Sequence, residues 1–182
     1  MMRFPFFAVA AAVLAASAAL ADIQVLSVGD SRCVGMLGMD TNACFPGSGT
    51  LHAEARLDSE LSAASYDVVL IWAGTNDCGV YSRCNPTTTV RTLKRMGAAV
   101  RAQGGTPVWV TDAPLFVFRQ HVVDFSNEVR DRQLGFGPNL GVVLDSGELA
   151  EPEGWFYHAP DGVHPGPELQ QRIFDAAMEA TQ

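Results

Sequence analysis

Three short islands, in a fixed order, hold residue types that can move an acyl group. Gly29-Asp30-Ser31 directly follows an apolar run, and Gly74-Thr75-Asn76-Asp77 follows another. Asp161-Gly162-Val163-His164 lies near the C-terminus. Together they supply a hydroxyl nucleophile, a neutral amide donor, and an imidazole with a carboxylate three residues upstream. A serine hydroxyl attacks a carbonyl when a base takes its proton, and that base works only if held in one orientation. Ser31 and His164 have the required types. Asp161 can hold one ring nitrogen of His164 and leave the other facing Ser31. Pro160 and Pro165 bracket and stiffen that segment. Asn76 can donate to a developing oxyanion without bringing charge.

Each island alone also has a plainer reading. Gly, Asp and Ser are turn formers, and Asn and Asp are favoured helix caps. Ser48, between two glycines, is a rival nucleophile, but no strand-plus-histidine arrangement stands near it in sequence. His158 is a rival base. It lacks a carboxylate at this spacing on a rigid turn, and is expected to line the cleft or be solvated. His52 and His121 open helical patterns and are expected at the surface.

The islands need elements to bring them together. Residues 23–28, 67–72, 106–111 and 140–144 are apolar runs of strand length, none alternating cleanly with polar residues. Such runs fit parallel strands buried on both faces. Helical patterns lie between them. Residues 51–64 put Leu51, Ala55 and Leu57 to Leu61 on one face. Residues 87–103 carry Val90, Leu93, Met96 or Gly97, and Val100, stopped by Gly104-Gly105. Residues 121–134 hold Val122, Phe125, Val129 and Leu134 in a weaker pattern. Residues 167–181 carry Leu169, Ile173, Phe174 and Ala177, with Pro167 suited to a first turn. A helix is also expected to start at Ser31, aiming free N–H groups near the hydroxyl. Alternating strands and helices predict an α/β fold, a three-layer α/β/α sandwich around a parallel sheet of about four to five strands. Sites in such sheets sit at the carboxyl ends of the strands, where all three islands fall.

Composition bounds the setting. Arg3, the apolar stretch 4–20 and Ala19-Leu20-Ala21 match a signal peptide cleaved before Asp22. Residues 1–21 are thus read as a targeting segment and 22–182 as one domain. The mature chain would keep 161 of the 182 residues, enough for a real core, with no stable membrane anchor. It would carry 11 basic against 20 acidic residues, a net charge of −9. That balance argues against nucleic acid as a partner. The four cysteines, in an exported chain, suggest disulfides, of which Cys33–Cys44 and Cys78–Cys84 are favoured because each closes a short loop beside an island. Their spacing lacks the close recurring pattern of a metal site, so no metal is expected.

With those residues in view, the chain resembles the SGNH (GDSL) hydrolases. Gly-Asp-Ser, Gly-Thr-Asn-Asp and Asp-Gly-Val-His-Pro look like the first, third and fifth blocks of that family, in order and approximate spacing across nearly the whole mature chain. The short exported length is most similar to the small periplasmic thioesterase/lysophospholipase branch. The resemblance implies a flavodoxin-like sheet and cofactor-free ester hydrolysis. It implies Ser31 as nucleophile, His164 as base and Asp161 as its partner. The oxyanion hole would be the Ser31 N–H, the Asn76 side chain and the N–H of a second-block glycine. That glycine is Gly47 or Gly49, with Gly47 preferred because 29 residues before Asn76 leave room for one helix and one strand. The stretch between Ser31 and Gly47 is short for the family, so a helix and a strand usually found there are expected to be trimmed and an edge strand to be missing, with a Cys33–Cys44 bridge fixing the shortened loop.

The expected substrate is a small-molecule or glycan ester, and the expected state a monomer. Pro114-Leu115-Phe116-Val117-Phe118 and Trp155-Phe156-Tyr157 could line an acyl groove, stack on sugar rings, or simply pack their loops. Two other readings stand beside hydrolysis. An O-acyltransferase would use the same serine with an alcohol or glycan replacing water. A non-catalytic binding module would be expected to have lost a catalytic residue, and none is lost.

Overall fold

The structure, a computed structural model, describes residues 23–111 and 118–182, without the side chains of Phe156 and Tyr157. The targeting segment 1–21 and the loop residues Pro114 to Val117 lie outside the described residues.

Five parallel strands form one sheet in the order β2-β1-β3-β4-β5. They are β1 (Val25–Gly29), β2 (Thr41–Cys44), β3 (Val68–Trp72), β4 (Thr106–Val110) and β5 (Val142–Leu144). Every residue of β1 and β3 is buried, as continuous apolar runs require. The helices are α1 (Thr50–Ala63), α2 (Thr75–Gly79), α3 (Pro86–Ala102), α4 (Gln120–Leu134), α5 (Ser146–Leu149), α6 (Trp155–His158) and α7 (Pro167–Ala180). Pro86 and Pro167 occupy first turns, where a missing N–H costs nothing, and the Asn85 side chain caps α3 by accepting from Thr88 N.

The strand period of two divides the core. Leu26, Val28, Val69, Ile71 and Trp109 pack with Leu57, Leu93, Met96, Val100, Phe125 and Val129 of α1, α3 and α4. Val25, Leu70, Trp72, Val108 and Val110 point the other way, onto Leu169, Ile173 and Ala177 of α7. Helices therefore cover both faces, giving the three layers. Burying each such aliphatic side chain stabilises by about 1.5–3 kcal/mol, which makes the sheet the rigid base of the site.

Three expectations are corrected. The edge strand is present: β2 pairs with β1 from Leu26↔Thr41 to Gly29↔Cys44. Its sequence, Thr-Asn-Ala-Cys, has no apolar run because an edge strand here is only partly covered. The helix after Ser31 is trimmed as expected, to a 3-10 turn over Ser31–Cys33, and this removes the helix N-terminus expected at the hydroxyl. In α1 the buried face is Thr50, Ala53, Leu57 and Leu61, while Leu51 and Ala55 are exposed.

Candidate active site

β1 and β3 run side by side to Gly29 and Trp72, and the next backbone link is Asp30 N donating to Trp72 O at 3.1 Å. Two residues past Gly29 comes Ser31, and four past Trp72 comes Asn76, in the first turn of α2. Both thus leave the same sheet edge. The close strand pairing explains Gly29: a Cβ there would lie 2.0 Å from Trp72 O.

His164 arrives from the other end of the chain. Its Nε2 stands 2.9 Å from Ser31 Oγ, and its Nδ1 2.7 Å from Asp161 Oδ2. The other carboxylate oxygen of Asp161 accepts from Val163 N and His164 N, each at 2.8 Å. The carboxylate therefore holds both the ring and the backbone of its own turn. Partial desolvation pushes the Asp161 carboxyl up, but the hydrogen bonds from His164 and Val163 outweigh it and bring its pKa down to about 2. An anion on Nδ1 leaves Nε2 free to accept the hydroxyl proton. The Trp155 indole, buried against α7, donates to Gly162 O at 3.2 Å and props this turn from beneath.

Asn76 donates from Nδ2 to Ser48 O at 3.1 Å, which fixes the amide and leaves its second N–H for another acceptor. Ser48 itself is 2% exposed, with its hydroxyl accepting from Arg56, so the rival nucleophile is sealed inside its loop. His158, the rival base, is buried rather than solvated, 3.5 Å from Glu153. His52 and His121 are exposed, as expected.

A family model for the GDSL-like lipase/acylhydrolase family matches residues 10–172. The chain belongs to that family. Solved structures with the same fold include a putative G-D-S-L lipolytic protein from Desulfitobacterium hafniense, at TM-score 0.71 and 16% identity, covering 87% of this chain and 99% of that one. A GDSL-like lipase from Bacteroides thetaiotaomicron aligns at TM-score 0.70 and 18% identity over 93% and 94% of the two chains. The psychrotrophic esterase EstA from Pseudoalteromonas sp., in a structure inhibited by monoethylphosphonate, aligns at 0.56 and 18% over 87% and 96%. No curated protein of matching sequence was found.

Two glycines of this GDSL-family chain were candidates for the second block, and each is required for a different reason. Gly47 has φ +73° and open space where a Cβ would stand. It follows Pro46 in a turn closed by Ser48 N donating to Phe45 O, the Pro-Gly pattern of a type II turn. Gly49 is buried, and a Cβ there would meet Asp77 Oδ1 at 2.5 Å.

Sequence reasoning left Asp77 as a turn or helix-cap residue, and it is more. Its carboxylate, 6% exposed, accepts from Thr50 N at 2.8 Å and from the hydroxyls of Thr50 and Thr89. It joins the start of α1 to α2 and α3. Asp30 and Arg32 were missed as well. They form a buried pair under the nucleophile turn, with Arg32 Nε 2.9 Å from Asp30 Oδ1 and its guanidinium 5.5 Å from the Trp72 ring. The i,i+2 opposite charges beside an apolar run were the only sign of it.

Cys33 is bonded to Cys44 and Cys78 to Cys84, the favoured pairing. Cys78, Cys84 and His121 are the grouping of metal-type donors among the described residues, but both sulfurs are spent in the disulfide. Of the aromatic loops, Trp155 and Phe118 pack against the two core clusters. No helix among the described residues is long and apolar enough to cross a membrane.

Proposed function

We propose that this GDSL-family protein is an exported serine hydrolase of carboxylic esters. The observation that carries the reading is the unbroken line Ser31 Oγ, His164 Nε2, His164 Nδ1, Asp161 Oδ2, with links of 2.9 and 2.7 Å. Ser31 attacks the ester carbonyl as His164 takes its proton. The tetrahedral oxyanion is met by the Ser31 N–H, the Gly47 N–H and the free N–H of Asn76. Gly47 is favoured over Gly49 by its open surroundings, where a Cβ would meet nothing within 4 Å. His164 then protonates the leaving alcohol, and Asp161 stabilises the imidazolium. Water, activated by the same imidazole, releases the acid from Ser31. No cofactor takes part.

The substrate is a small-molecule or glycan ester, handled by a monomer. Export is supported by the two disulfides and by the leader-like residues 1–21. A net charge of −8 for the whole chain disfavours nucleic acid.

The test is hydrolysis of p-nitrophenyl acetate, butyrate and octanoate by the mature protein and by Ser31→Ala. Activity is expected in the first and lost in the second. A phosphonate of the kind that inhibits EstA is expected to add its mass to wild type and not to the variant. A folded wild type inert to every ester in water, but active when a glycan or alcohol acceptor is supplied, would replace the hydrolase with an acyltransferase.

A further inference from the structure

The turn that presents Gly47 is gripped at both ends by one side chain. Arg56 lies in the second turn of α1. Its guanidinium donates to Ser48 Oγ at 2.6 Å and stacks 4.7 Å from the centre of the Phe45 ring. Phe45 and Ser48 are the first and last residues of the four-residue turn, and Gly47 is the third. Phe45 is 57% exposed, so packing alone does not hold it. The last residue does a second job, since Ser48 O accepts from Asn76 Nδ2 at 3.1 Å. One planar cation therefore holds the two ends of the turn that carries the Gly47 N–H, and reaches the Asn76 amide through Ser48.

We infer that Arg56 is a positioning residue of the oxyanion hole, acting through the Phe45–Ser48 turn. The inference rests on the reading of Gly47 and Asn76 as oxyanion donors. Arg suits the task because a flat guanidinium can donate in its plane and stack on a ring with its face, which an ammonium cannot. Neither of its two contacts is to the reacting atoms, so it acts on the rate only through where the donors stand. Oxyanion donors must meet the transition state rather than the ground state, and a misplacement on the order of 1 Å can cost about 10²-fold.

The experiment measures kcat and KM on the p-nitrophenyl ester that wild type cleaves best, in Arg56→Ala, Arg56→Lys, Ser48→Ala, Asn76→Ala and Arg56→Ala/Asn76→Ala. Arg56→Ala is expected to lower kcat by roughly 10- to 100-fold with KM within about twofold, because the loss is specific to the transition state. Arg56→Lys should recover part of it through Ser48. In the double variant the two losses should combine to at least about fivefold less than their product, since both act on one hole. Full kcat in Arg56→Ala, a change in KM alone, or losses that multiply would overturn the inference. Should Arg56→Ala fail to fold, Ser48→Ala removes the same hydrogen bond while leaving the carbonyl that holds Asn76, and the same criteria apply to it. Full activity in Asn76→Ala would overturn the oxyanion reading itself, whereas an impaired Asn76→Ala beside an unimpaired Arg56→Ala overturns only the role of Arg56.

Discussion

Ser31 and Ser48 compete for the same role in this chain, and burial favours Ser31. Ser31 is half-buried and faces an imidazole, whereas Ser48 is enclosed and already bonded to Arg56. The carboxylate behind the imidazole gives a sharp prediction. Asp161→Asn presents an amide where an anion now fixes the tautomer, and kcat should fall on the order of 10⁴-fold, as when a triad Asp is amidated. The pH behaviour follows from the depressed Asp161 pKa. Its folded value is about 2, below the ordinary 3.8, so the stability it contributes is present above about pH 4 and lost as pH falls toward 2. Its side chain is 55% exposed, so that contribution is small. Asp161 thus stays charged throughout the range where activity is measured and sets no acid limit on turnover. An acid limb of kcat/KM that vanished in Asp161→Asn would contradict this. Asn76→Ala should cost on the order of 10²–10³ in kcat with the fold intact by circular dichroism.

Long apolar strands and amphipathic helices were readable because burial on two faces, or on one stripe, leaves a period in the sequence. The four runs of strand length became β1, β3, β4 and β5, and the four helical patterns became α1, α3, α4 and α7. What escaped has no such period. β2 is four residues of mixed polarity at the sheet edge, and its pairing is visible only once β1 lies beside it. The 3-10 turn at Ser31 is too short to show one. Leu51 was placed on the wrong face because Thr50 holds a buried position through Asp77, a contact 27 residues away. Type and order alone single out Ser31, Asp161, His164 and Asn76 as candidates, while Asp77 and Arg56 act through partners farther along the chain and leave no local mark. Asp77 offers the element-level test. Truncation to Ala leaves the Thr50 N–H and two hydroxyls without their acceptor, and should destabilise by about 3 kcal/mol. For a domain of this size that lowers Tm by roughly 6–12 °C by calorimetry. A shift under about 2 °C would mean that α1 and α3 do not depend on this carboxylate.

For the molecule as a whole, both disulfides begin two residues beyond a site residue, Cys33 after Ser31 and Cys78 after Asn76. They close loops of 11 and 6 residues in sequence separation. Chain-entropy arguments give about 2–3 kcal/mol for each. Reduction with a dithiol is therefore expected to lower Tm and to reduce kcat below the melting range, because the loosened loops adjoin Ser31 and Asn76, the proposed nucleophile and oxyanion donor. An unchanged kcat at 25 °C after complete reduction, verified by thiol titration, would show that the sheet alone positions them. Expression with residues 1–21 in a secreting host should yield a chain that starts at Asp22 by intact mass. The contact between His164 and Ser31 joins positions 133 residues apart, from opposite ends of the chain. A growing polypeptide carries Ser31 early but gains His164, its proposed base, only when the last segment docks. On the proposed mechanism, ester cleavage is thus withheld from any chain cut short before His164.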